Sequence, residues 1–146
     1  MIVIGSDHAG YLAKENLKKY LSNTNVFYED CGTYSCDSCD YPIIAEKVAT
    51  KVLENQNNKG ILICGSGIGM SIASNKIKGI RAALCYDLEC AELSRKHNNA
   101  NILCTGARII DFETIKEIVE VFLKTPFEGG RHQKRIDEIK KLENLN

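Results

Sequence analysis

The 146 residues, 44% of them hydrophobic, suffice for one domain with a real core, which excludes disorder. Nineteen Lys+Arg balance nineteen Asp+Glu, so the chain has no net field to hold a polyanion such as DNA, although a local arginine cluster can still bind one phosphate. No apolar stretch approaches the roughly 20 residues of a bilayer span, and the N-terminal MIVIGSDHAG lacks the basic and cleavage regions of a signal peptide, so a cytoplasmic protein with neither nucleic acid nor membrane as partner is expected.

Strands are predicted at Ile2–Ile4 and Val26–Glu29. Pro42 then suits the first turn of a helix in which Ile44, Ala45, Val48, Ala49, Val52 and Leu53 form one apolar stripe at three-to-four spacing. Strands follow at Ile61–Cys64 and Ile80–Cys85, a helical run at Leu88–Lys96, and a strand at Ile102–Cys104. After Asp111 the helical spacing returns in Ile115, Ile118, Val119, Phe122 and Leu123, until Thr125-Pro126 stops it. The tail Gly129–Asn146 is charged and helical in pattern. With only Ile136, Ile139 and Leu142 to bury, it should pack across the domain or onto a second subunit. Such alternation is the signature of a parallel sheet with crossover helices. No repeat, low-complexity tract or linker interrupts residues 1–146, so one domain is predicted.

Seven cysteines is an odd number, and Cys64, Cys85, Cys90 and Cys104 sit in or beside apolar runs, where a reduced thiol acts as a small hydrophobe. A reducing compartment is favoured over a disulfide framework.

In open parallel sheets ligands gather at the carboxyl ends of the strands, near the point where strand order reverses. The loops to read are therefore Ser6–Gly10, Cys31–Pro42, Gly65–Gly69, Tyr86-Asp87 and Thr105–Arg108. The third belongs to CGSGIG. As a dinucleotide loop it is poor, because the third glycine of G-x-G-x-x-G comes one residue early and Met70 takes its place, even though Asp87 lies where a ribose-binding acid could sit. A Walker loop needs a lysine that does not appear until Lys76, and a cysteine-phosphatase loop needs an arginine where Met70 stands. What survives is a cysteine at a strand end, amides free to bind an anion, and a helix N-terminus behind them. The plain alternative is that the glycines only let helix and strand pack closely. A thiol ordinarily ionises near 8.5, and one at a helix N-terminus or beside a cation at about 3.5–7.5. A cysteine so placed can take a proton near neutral pH, with backbone amides to hold the oxyanion that develops.

Asp7 and His8 follow the first strand and should reach the same crevice, unless they only cap a helix. His97, with Asn98 and Asn99 after it, suits the C-terminus of the run Leu88–Lys96 by the helix dipole alone. In GGRHQKR, Arg131 and Arg135 share a helix face. That is either a solvated basic face or a phosphate clamp, to which Arg108 could add a third guanidinium. Cys36-Asp-Ser-Cys39, with Cys31 nearby, lacks the second ligand pair of a zinc site and the strand-to-helix setting of a thioredoxin-like pair.

The phrases GSDHAG, DCGTYS, DYP, GILICGSGIGMSIASNK, GIRAAL, SRKHNNANIL and EGGRHQKR, in this order and spacing, resemble the type B ribose-5-phosphate isomerases. That family also contains galactose-6-phosphate isomerase subunits and allose-6-phosphate isomerases, and the likeness runs from about Ile2 to about Lys140. The resemblance implies a three-layer α/β/α, Rossmann-like sandwich with a five-stranded parallel sheet and a C-terminal helix. It implies interconversion of an aldose phosphate and a ketose phosphate without metal or organic cofactor, in a homodimer, or a tetramer built from it, with active sites at the subunit interface. By the same resemblance, Cys64 is the base that carries a proton between adjacent carbons through an enediolate. Ser66 and the amides of Gly65, Gly67, Ile68 and Gly69 hold the enediolate oxygens. His97 opens the furanose ring, with Asn98 as a substrate contact beside it. Asp7, His8 and Tyr41 surround sugar and phosphate, and Arg108, Arg131 and Arg135 clamp the phosphate. Met70, where another branch carries a glutamate base, places the chain with the cysteine branch, and His97 favours ribose 5-phosphate over galactose 6-phosphate. Allose 6-phosphate stays open as a substrate. The rivals are a non-catalytic sugar-phosphate binding module and a nicotinamide-dependent oxidoreductase using Asp87. The cysteine-rich Ser35–Asp40 loop departs from the family pattern beside Tyr41.

Overall fold

The computed structural model describes residues 1–145; Asn146, the last residue of the span and tail named above, lies outside the described residues. The strands are β1 (Ile2–Ser6), β2 (Tyr28–Asp30), β3 (Lys59–Cys64), β4 (Ala82–Leu84) and β5 (Ile102–Gly106). The helices are α1 (Tyr11–Asn23), α2 (Tyr41–Leu53), α3 (Ile68–Ser74), α4 (Leu88–Lys96), α5 (Phe112–Lys124) and α6 (Arg131–Leu142). Every strand pair is parallel, in the order β2-β1-β3-β5-β4.

The central strands are buried on both faces and alternate between two cores. Val3, Leu62, Cys64, Ile102 and Cys104 pack under α2 with Met70 of α3, while Ile4, Ile61, Ile63 and Leu103 face α1, α4 and α5. The predicted three-layer α/β/α sandwich is the observed one. In α2 the apolar stripe is buried as expected except for Leu53, which is 45% exposed at the helix end.

All five strands differ from their predicted bounds: β1 and β5 run two residues further, to Ser6 and Gly106, β3 starts two residues earlier, at Lys59, and β2 and β4 start late for reasons visible in the backbone. β2 begins at Tyr28 rather than Val26, because Asn25 (φ 56) ends α1 in a left-handed turn and the Val26 N–H donates to the Leu21 carbonyl. Val26 is thus spent on the helix end. β4 shortens from Ile80–Cys85 to Ala82–Leu84, since the Ile80 N–H closes a turn onto Ile77 and the Arg81 N–H is taken by the Asn101 side chain.

One ionic cluster ties α1 to β2. The Lys14 side chain is fully buried, with Nζ 2.6 Å and 2.7 Å from the two Asp30 carboxylate oxygens, and Lys18 Nζ reaches the same carboxylate at 2.8 Å. Burial alone would raise Asp30, but hydrogen bonds from Lys14, Lys18 and the Gly32 N–H hold it below the ordinary carboxylate range.

α6 leaves the sandwich. His132 and Ile136 face inward and are buried, whereas Ile139 and Leu142, also expected to be covered, are 39% and 60% exposed. Its far end is held where the Glu143 carboxylate accepts from the Gly79 N–H at 2.9 Å. Among the described residues no helix is long and apolar enough to cross a membrane.

Candidate active site

Strand order reverses between β1 and β3, which pair with each other while their onward connections run to opposite sides of the sheet. Their register sets Ser6 opposite Ile63, so the chain leaves β1 at Asp7 and β3 at Cys64 side by side. A cleft of about 430 Å³ opens there, lined by Asp7, His8, Tyr41, Cys64, Gly65, Ser66, Gly69 and Arg108, and also by Ala9 and Ile109.

Among the cysteines, Cys64 is the one at this cleft. Burial pushes Cys85 up to about 12 and Cys104 well above the ordinary thiol range, and Cys31 is also raised by its burial. Those sulfurs stay as inert thiols. Cys90, expected as a small buried hydrophobe, is instead exposed on the first turn of α4. The loop cysteines Cys31, Cys36 and Cys39 are buried, exposed and half-buried in turn, and form no cluster of ligands.

Cys64 Sγ accepts a hydrogen bond from the Gly67 N–H at 3.0 Å, an arrangement complementary to negative charge on sulfur. The Ile68 N–H donates to Ser66 Oγ at 3.2 Å. Two of the amides expected to face an oxyanion, those of Gly67 and Ile68, are therefore directed within the loop. Among the described residues no acceptor takes the N–H groups of Gly65, Ser66 or Gly69, and these remain for a ligand.

The glycines serve packing as well as chemistry. Gly67 caps α3 at φ 79, where a Cβ would stand 2.8 Å from the Thr105 carbonyl carbon. At Gly106 a Cβ would meet the Ser66 carbonyl carbon at 2.6 Å and the Gly65 oxygen at 2.8 Å, both backbone atoms. Gly106→Ala should displace the loop and lower kcat/KM by about 100-fold, the cost of a misplacement near 1 Å. Steady-state kinetics check this, and unchanged turnover would show that the loop position is not critical.

The remaining cleft residues are fixed from three directions. Asp7 Oδ1 accepts from the Ala9 and Gly10 N–H groups at 2.9 and 3.1 Å, so this carboxylate also holds the turn that leads into α1. His8 Nδ1 accepts from the Cys39 N–H at 3.3 Å. A neutral imidazole so held carries its proton on Nε2. Tyr41, 40% exposed, lies against Gly69, and Arg108 lies against Gly65.

The other half of the expected set is elsewhere. His97 is the C-cap of α4 and stacks on His132 with ring centroids 4.2 Å apart, while Asn98 is exposed and faces a groove between β4, α4 and α6. Arg131 and Arg135 are exposed one turn apart on α6. None of these four lines the cleft. Asp87, weighed as a ribose-binding acid, caps α4 instead, its carboxylate accepting from the Cys90 N–H at 2.7 Å.

Two residues escaped the sequence reading. The Tyr86 hydroxyl donates to the Ser66 carbonyl at 2.5 Å and steadies the loop from the β4 side. His132 packs inward one turn before Ile136, and that spacing was its only signal. Burial, then the neighbouring His97 and Arg131, hold His132 below the ordinary histidine range.

A family model described as Ribose/Galactose Isomerase matches residues 2–139. Ribose-5-phosphate isomerase B of Escherichia coli (strain K12) is 43% identical over 142 residues, covering 97% of this chain and 95% of that protein. A putative sugar phosphate isomerase of Rickettsia bellii is 47% identical, covering 94% of this chain and 96% of its own length. The crystal structure of a ribose 5-phosphate isomerase from Thermotoga maritima is 51% identical with a TM-score of 0.93, over 96% of this chain and 97% of that one. Ribose-5-phosphate isomerase B of Mycoplasma genitalium, solved with bound ribulose-5-phosphate, is 43% identical with a TM-score of 0.95, over 99% of this chain and 97% of that one. With the family model matched over residues 2–139 and relatives similar to it in sequence and fold along nearly its whole length, the chain belongs to the Ribose/Galactose Isomerase family.

Proposed function

We propose that this chain, residues 1–146 acting as one domain, interconverts ribose 5-phosphate and ribulose 5-phosphate through an enediolate, with Cys64 as the base. The observation that carries the reading is the Cys64 sulfur at the strand-order reversal, beside Gly65, Ser66 and Gly69, which line the same cleft and whose N–H groups have no acceptor among the described residues. The substrate is that of the Escherichia coli relative, and its product is the sugar bound in the Mycoplasma genitalium structure.

In the forward direction the Cys64 thiolate takes the proton from C2 of the open-chain aldose, and the electron pair moves to the C1 oxygen as the enediolate forms. The thiol returns the proton to C1, and a proton passes from the C2 oxygen to the C1 oxygen to complete the ketose. Ser66 with the Gly65 and Gly69 amides offsets the developing negative charge, one such donor being worth about 2.7–4 kcal/mol. His8, Arg108, Arg131 and Arg135 hold the phosphate, Asp7 and Tyr41 the sugar, and His97 with Asn98 serves ring opening.

His97, Asn98, Arg131 and Arg135 serve a cleft they do not line by reaching that of a second copy, so the working unit is a homodimer with shared sites. Ile43 of α2 with Ile68 and Ile72 of α3, each about half exposed on the two helices whose first turns carry Tyr41 and Gly69, suit such an interface. The test is turnover of ribose 5-phosphate by mixed dimers. Cys64→Ala and His97→Ala chains are each inactive alone, and a mixed dimer regains one intact site of two, about half the wild-type rate per dimer. No gain on mixing would place both residues in one subunit's site, and a wild-type chain that turns over no aldose phosphate would leave a binding module.

A further inference from the structure

His97, Glu128 and His132 converge at one corner away from the cleft. Among the described residues this is the one set of three potential metal ligands whose donor atoms all lie within 4.8 Å of one another. Its backbone is fastened there independently of the side chains. The Glu128 N–H donates to the Lys96 carbonyl at 3.1 Å, which pins the α5–α6 connection beside His97, and the His132 N–H donates to Gly129 at 3.1 Å. The imidazoles stack 15° from parallel, and Glu128 Oε2 is 3.6 Å from His132 Nε2.

Two imidazoles and a carboxylate are the donor set of open zinc sites, and imidazole suits zinc, copper, iron and nickel. Metal–nitrogen and metal–oxygen distances of about 2.0–2.2 Å require the donors to close by roughly an ångström. Because nitrogen lone pairs lie in the ring planes, the stacked imidazoles must also turn apart to share an ion, and the half-exposed Glu128 and half-buried His97 are the groups that move toward the buried His132.

We propose that His97, Glu128 and His132 bind a divalent transition-metal ion of the zinc class, which occupies the His97 imidazole and so inhibits the enzyme. The binding site stands on this geometry alone; the inhibition rests on the role given to His97 under the proposed function. The ion takes a lone pair from each imidazole and from the carboxylate, and no oxidation or reduction is involved.

Cobalt(II) is the probe, because nitrogen and oxygen ligands give it weak visible bands whereas thiolates add an intense near-ultraviolet band, which separates this site from the seven free cysteines. Titration of the full chain should show one ion per chain without the thiolate band. Glu128→Gln should weaken binding by about tenfold or more, given that loss of even an outer partner costs about 10–100-fold, and leave metal-free turnover unchanged. His132→Gln should abolish the visible bands, and cobalt should inhibit wild-type turnover with the same midpoint as binding, reversibly with EDTA. Equal cobalt affinity in wild type and Glu128→Gln, or a spectrum of thiolate ligation alone, would overturn the site. Cobalt bound with turnover unaffected would uphold the site and remove His97 from the reaction.

Discussion

Cys64→Ala should lower the ribose 5-phosphate turnover number by about 100- to 10,000-fold, the range contributed by a positioned acid or base, while leaving sugar-phosphate binding nearly unchanged. The two effects separate because, in the proposed mechanism, the sulfur acts on a carbon-bound proton, and that interaction matters in the transition state far more than in the ground state. In the proposed site, binding is assigned to the arginines and the free loop amides, which the substitution does not touch. Alanine removes a side chain only 5% exposed, and the Gly67 N–H that donates to it would be left to water or substrate. Circular dichroism and calorimetric titration with ribulose 5-phosphate establish that the variant is folded and binds. Retained turnover in that folded variant would exclude Cys64 as the base.

Asp30→Asn should be strongly destabilising, by about 3 kcal/mol, the lower end of the range for breaking a buried pair, because it leaves the fully buried Lys14 ammonium with the partly exposed Glu15 carboxylate, at 3.2 Å, as its remaining charge partner. In a chain of this size that lowers Tm by roughly 10 °C. The pH dependence follows from the lowered Asp30 carboxyl. Its contribution is complete above the unfolded carboxylate value of about 4 and is lost as pH falls through the lower folded value. The wild type should therefore lose stability more steeply than Asp30→Asn on acidification below about pH 4. Urea unfolding across that range measures it, and parallel curves would mean that Asp30 titrates alike in folded and unfolded chains. Replacing Lys14 and Asp30 together by apolar residues should recover much of the loss, since a buried pair exchanged for well-packed hydrophobes is often near neutral.

What the sequence discloses follows burial. β1, β3 and β5 are central and covered on both faces, so their apolar runs announce them, and the residues that leave their carboxyl ends (Asp7, His8, the Gly65–Gly69 loop and Arg108) assemble at the cleft as expected. β2 reads Tyr-Glu-Asp at the sheet edge and carries no apolar pattern, so its start could not be told from the end of α1. Lys14 was invisible for a different reason. A lysine within a helix reads as solvated, and nothing local reveals that Asp30, on a strand sixteen residues later, waits beneath it. For His97, Arg131 and Arg135 the sequence suggested a chemistry and no place, because motif order fixes no distance between α4, α6 and the strand ends.

The alignment of Ser6 with Ile63 also bears on how the chain acquires activity. Strands β1 and β3 meet although Ile4 and its partner Ile61 are more than a third of the chain apart, so their ladder closes only after an expensive loop has been formed. Helices nucleate within microseconds. On dilution from denaturant, recovery of turnover should therefore trail recovery of helicity, the sulfur finding its neighbours only when the two most distant halves of the sheet have joined.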